Sequence, residues 1–129
     1  MEAEKIHTNV SDIWIDADNI LRVHVHEGAH LTLQDMKDGF EIYSRLGFGP
    51  GKKKTLQLLT GAKFFTLSKE AREYGGKHGN NFFIAAAVVS DSAALRFLVN
   101  VFNRLNNPDV PFKVFSNANE ALEWLKGFK

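Results

Sequence analysis

The stretch from Asn81 to Asn106, NFFIAAAVVSDSAALRFLVNVFNRLN, decides the fold. Phe82 to Val89 is an unbroken apolar run. Strict alternation would mark a sheet with one wet face, whereas an unbroken run marks a strand covered on both faces. Ala85, Ala86 and Ala87 would also suit a helix. The run is short, however, and Phe82, Phe83, Ile84, Val88 and Val89 favour extended backbone, with Gly79-Asn80-Asn81 before them as a loop. The three alanines let a helix come close to the sheet. Ser90-Asp91-Ser92 then offers side-chain oxygens that can cap a following helix. Leu95, Leu98, Phe102 and Leu105 form one apolar stripe of that helix, with Arg96, Asn100, Asn103 and Arg104 largely off it. Asn106-Asn107-Pro108 ends it, because proline cannot continue a helix and disfavours helix in the residue before it.

Outward from this βα unit, 129 residues with 44% hydrophobic content are enough for one domain with a real core. A net charge of +1 gives no global electrostatic reason to expect nucleic acid or a membrane surface as partner. The absence of cysteine excludes disulfides and thiol catalysis and fits a reducing compartment. No stretch reaches the roughly 18 apolar residues of a membrane span, and MEAEKIHTNVSD has no apolar signal core. A soluble cytoplasmic protein is expected.

Taken in order, Met1 to Ser11 reads as a loose lead-in. Ile13 to Asp16 reads as a first strand, Asp16 to Asn19 as a turn, and Ile20 to His26 as an alternating, half-exposed second strand, together a hairpin. Thr32 opens a helix with Asp35 at capping-box distance and Leu33, Met36, Phe40, Tyr43 and Gly47 on one face. Gly47-Phe48-Gly49-Pro50-Gly51 ends it. Thr55 to Thr60 is a strand with Leu56, Leu58 and Leu59 as core candidates. Gly61 to Thr66 is a connection, Ser68 caps a short helix through Tyr74, and Gly75-Gly76 stops it. Phe112 to Phe115 is a last strand. Asn117 with Glu120 caps a final helix with Leu122, Leu125 and Phe128 inward. The order ββαβαβαβα predicts an α/β domain spanning 1–129, with a mixed sheet of about five strands and four helices, mostly parallel with right-handed crossovers. The polar face of the second strand predicts that helices leave part of one sheet face open.

That order resembles the SpoIIAA-like fold of the STAS superfamily. The likeness is sharpest in LRVHVHEG leading into LTLQDM, in LLTGAKFFTLSKEAREY, in AAAVVSDSAALRFLVNVFNRLNNPDVPFKVF and in the ending NEALEWLK. These segments together resemble small bacterial SpoIIAA-like proteins of unestablished function. The resemblance covers about residues 13 to 128 and implies a β-α superhelix with a mixed sheet. It also implies a domain that binds regulatory protein partners, and in some relatives one switched by phosphorylation where the strand after the first helix meets the second. Here that place is Thr66-Leu67-Ser68, without the Asp-Ser-Ser-Gly-like signature. A comparison of some relatives with lipid-carrying domains implies, as the second reading, a carrier or sensor of a small apolar molecule.

The candidate residues each have a plain structural explanation beside the functional one. Ser68, with Thr66, is a candidate phosphoacceptor, since a phosphate at a helix N-terminus meets free N–H groups; an N-cap alone also explains the serine. His24 and His26 share a strand face with His30 nearby, but no further ligands stand at metal-site spacing, so no metal is expected. GFGPGKKKT is not a phosphate loop, because its glycines follow a helix and precede a strand; Lys52, Lys53 and Lys54 remain a weak anion or acidic-partner patch. Ser90-Asp91 sits at a strand's carboxyl end but without a nucleophile-elbow pattern. Arg96, Asn100 and Asn103 share a helix face suited to a protein partner or a second copy. Phe64, Phe65, Phe82 and Phe83 are candidates to line an apolar pocket or interface. The expected function is a non-enzymatic interaction domain with an unknown protein partner or as a homodimer, with no cofactor.

Overall fold

The computed structural model describes residues 4–61, 65–91 and 110–129. The predicted helix carrying Arg96, Asn100 and Asn103, and also Phe64, lie outside the described residues. Eight strands and three helices are described: β1 (Ile6–His7), β2 (Ser11–Ile15), β3 (Leu21–Val25), β4 (His30–Leu31), α1 (Leu33–Arg45), β5 (Thr55–Gly61), β6 (Thr66–Leu67), α2 (Lys69–His78), β7 (Phe83–Val89), β8 (Phe112–Phe115) and α3 (Ala118–Lys126). Six strands form one mixed sheet in the order β1-β2-β3-β5-β7-β8, and β4 pairs with β6 as a separate parallel ladder. The first two pairings are antiparallel and the rest of the main sheet is parallel.

Alternation along the strands assigns the two faces. On one face Ile13, Leu21, Val23 and Val25 pack with Phe40, Ile42 and Tyr43 of α1, with Leu31, and with Phe82 and Phe83. Phe40 is the hub of an aromatic cluster, with ring centroids 4.8 Å from Phe82, 5.3 Å from Tyr43 and 5.5 Å from Tyr74, mostly edge to face. On the other face Ala121 and Leu125 of α3 pack with Ile20, Leu56, Leu58, Ala85 and Ala87. Ala85 and Ala87 are fully buried there, because a methyl is all that fits under the helix. Buried Tyr43 meets Gln57; burial pushes its hydroxyl pKa up, with the Gln57 hydrogen bond acting the other way.

The helix starts follow cap chemistry. Thr32 Oγ1 accepts from Asp35 N while Asp35 Oδ2 accepts from Thr32 N, a complete capping box. Ser68 Oγ accepts from Ala71 N at 3.0 Å, and Asn117 Oδ1 from Glu120 N at 2.9 Å.

Several expectations are corrected. Ile6–His7, inside the expected lead-in, pairs with Asp12 and Ile13 as an edge strand. The main sheet thus has six strands rather than about five. Gly75-Gly76 does not stop α2, which continues to His78. A Cβ on Gly75 would come within 2.9 Å of Met36 Cε, so this glycine serves the close approach of α1 and α2. Phe128 is exposed and lies against Trp124, its ring centroid 4.9 Å away, instead of facing inward. Ile84 is 42% exposed, breaking the burial expected for Phe82–Val89.

Candidate functional site

Strands β3, β5, β7 and β8 run parallel, so their carboxyl ends gather on one edge of the sheet. The β4–β6 ladder lies just beyond that edge, with His30 opposite Thr66 and Leu31 opposite Leu67. Thr32 and Ser68, the N-caps of α1 and α2, follow those paired leucines directly, so two helix N-termini start side by side. Ser68 N donates to Leu31 O and Thr66 N to Ala29 O, each at 2.9 Å, which ties β6 into place. The Thr66 hydroxyl is exposed and 2.7 Å from His30 Nδ1. Ser68 is half-buried and spends its oxygen on the cap. The structure therefore brings Thr66, Ser68 and His30 together on one accessible ledge, where Leu67 is also exposed.

A second polar surface lies on the sheet face that α3 leaves open. The registers place His7, Asp12, His24 and Thr60 side by side across β1, β2, β3 and β5, with Trp14 beside Arg22 one step along. Asp12 Oδ1 lies 2.7 Å from His7 Nδ1 and 3.0 Å from His26 Nε2. A carboxylate only accepts, so both imidazoles must donate through those nitrogens. The His7 bond first and the His26 bond second hold the Asp12 carboxyl below its usual range, against a smaller opposing effect of burial. His24 turns the other way, its Nδ1 2.9 Å from Thr60 Oγ1. His24 and His26 thus share a face but engage different neighbouring strands. Lys5 and Arg22 both stack on the Trp14 ring, at 4.4 Å and 5.5 Å from its centroid. Arg22 also pairs with Asp16 at 3.3 Å, and its Nε is buried without a partner among the described residues. Sequence reasoning reached the two histidines of this face through the alternation of β3. It missed Asp12, Trp14 and Thr60, because only the strand registers put them beside those histidines.

Of the aromatic candidates, Phe82 and Phe83 are buried in the cluster around Phe40 and Tyr43. Phe65 packs so closely on Gly61 that a Cβ there would meet its ring at 2.3 Å. Phe83 also borders an open depression of about 470 Å³ shared with Lys54, Asn80, Ile84 and Val110. Among the described residues no group of three or more His, Asp or Glu side chains is placed to hold a metal ion, and no helix is long and apolar enough to cross a membrane.

The fold has a solved counterpart. A crystal structure of an uncharacterised DUF3478-family protein with a SpoIIAA-like fold, from Shewanella loihica PV-4, matches with a TM-score of 0.61 at 18% identity, covering 96% of this chain and 92% of that one. The SpoIIAA-like resemblance read from the sequence is thereby shown for the fold. No curated protein matches the chain. A family model described as "Domain of unknown function (DUF7793)" matches residues 13–129, and the chain belongs to that family.

Proposed function

We propose that this protein is a non-enzymatic regulatory domain of STAS type, acting in the cytoplasm by contact with a protein partner through the ledge formed by β4, β6 and the start of α2. The observation that carries this reading is the placement of Thr66 and Ser68. Both hydroxyls stand at the carboxyl edge of the parallel strands, where open α/β sheets present their binding residues. Exposed Leu67 between them offers apolar contact area. A phosphate on Ser68 would sit over the first N–H groups of α2, which favour negative charge, and would release the cap oxygen from its present role. Phosphorylation of Thr66 would replace the His30 contact with a charge-assisted one. Either event changes the charge and shape of the ledge without altering the core.

The test uses tagged protein expressed in its own cells, as wild type and with Ser68→Asn and Thr66→Val. Asparagine caps a helix as well as serine does but cannot accept a phosphate, so it separates the two roles of Ser68. The reading predicts a stoichiometric partner whose recovery falls in one or both variants while thermal stability stays near wild type. Unchanged recovery in both variants would remove the ledge from the function.

A further inference from the structure

We infer that the depression at the amino ends of β5 and β7 is a docking site for an acidic segment of a partner protein that inserts one apolar side chain. It goes beyond the reading above, whose residues lie on the separate β4–β6 ladder and the start of α2. The site originates in a conflict in the sequence. Phe82 and Phe83 are consecutive, yet both enter the aromatic cluster on the same side of the sheet. A regular strand would send them to opposite faces. The chain resolves this by entering β7 from the 3₁₀ turn Gly79–Asn81 with Phe82 still in helical backbone. The register then slips, Thr55 pairing with Phe83 but Leu56 with Ala85. Ile84 is the extra residue of this bulge and is turned out to solvent. Bulges commonly re-aim a side chain beside a functional surface.

What surrounds Ile84 indicates the occupant. Phe83 and Val110 supply further apolar wall, and Lys54 stands at the rim. Lys54 ends the run Lys52-Lys53-Lys54, all exposed. Lys52 Nζ donates to the Ser44 carbonyl and hydroxyl, and among the described residues no carboxylate pairs with any of the three. Lys54, a cation unpaired among the described residues and in the same depression as an exposed isoleucine, complements a segment that is acidic and carries an apolar anchor. A free amphiphile would need a pocket that encloses most of its surface. The depression is open and covers one side of a chain only, which suits a residue held in place by its own protein.

The test is an amide NMR titration of the full chain with three capped peptides: acetyl-EDLLED-amide, its charge-reversed counterpart KKLLKK, and EDGGED, which lacks the anchor. The inference predicts dose-dependent shifts of Lys54, Ile84 and Val110 with the first peptide alone. Ile84→Asp and Lys54→Glu both change exposed side chains and so keep the native spectrum; each should weaken the effect by about tenfold or more. Ser68→Asn should leave it unchanged, which separates this site from the ledge. Shifts of equal size with KKLLKK, shifts elsewhere or no shifts would overturn the inference. So would tighter binding of dodecanoate at the same amides, which would mark a small-molecule site.

Discussion

Unmodified Ser68 is the N-cap of α2, and substitution separates that role from phosphorylation. Ser68→Ala removes the oxygen that accepts from Ala71 N and should cost about 1 kcal/mol, seen as a lower urea midpoint with an unchanged slope. Ser68→Asn should stay within a few tenths of a kcal/mol of wild type. Asp12 gives a pH-dependent counterpart. Its carboxyl pKa is lowered in the folded state, chiefly by the His7 and His26 bonds, so the stability it adds is fully present above its ordinary value near 3.8. That contribution is lost as pH falls through the folded value. Asp12→Asn should therefore be less stable than wild type at neutral pH, and the gap measured by thermal unfolding should close as the solution is taken below about pH 4. A gap that widened on acidification would show that the two imidazoles, and not the carboxylate, dominate this cluster.

Among the elements, α2 shows where local propensity gives way to packing. Gly75 and Gly76 look like a helix stop, yet both lie inside α2. Only the fold distinguishes them. Gly75 faces Met36 of α1 at a distance that a methyl would strain, whereas a Cβ on Gly76 would meet nothing within 4 Å. Gly76→Ala should therefore stabilise the protein by about 0.5–1 kcal/mol. Gly75→Ala should gain less, or lose, because Met36 must move; comparison of the two urea midpoints checks this. Strand β7 teaches the complementary lesson. Its apolar run announced a central strand correctly, but the bulge that exposes Ile84 depends on how the preceding turn places Phe82, a three-dimensional matter that no periodicity encodes. Ala87→Leu would place a larger side chain under α3, where Ala87 is fully buried against Ala121 and Leu125, and should cost about 1–3 kcal/mol in the same assay.

For the whole molecule, the legible features were those encoded by neighbours in sequence. Thr32, Ser68 and Asn117 each announced a helix that begins at the next residue, and the alternation of Leu21, Val23 and Val25 announced a strand with one buried face. Phe112–Phe115 was likewise readable as the last strand. The hidden features arise from pairing between distant segments. His30–Leu31 and Thr66–Leu67 are too short to carry a period, and only their mutual register sets Thr66 against His30. The same holds for Asp12, which meets its histidines from a different strand on either side. The predicted site was thus readable as residue types near a helix start, while its second strand and its histidine were not.

The protein is proposed to work by binding a protein partner through the Thr66–Ser68 ledge. Native mass spectrometry of the protein isolated from its own cells, with and without Ser68→Asn and Thr66→Val, tests it most directly. Binding through the ledge predicts a stoichiometric protein complex, with or without a phosphate mapped to Thr66 or Ser68, that is depleted when the ledge is altered. A bare monomer in all three samples, or an adduct of a small molecule alone that dissociates on denaturation, would contradict it.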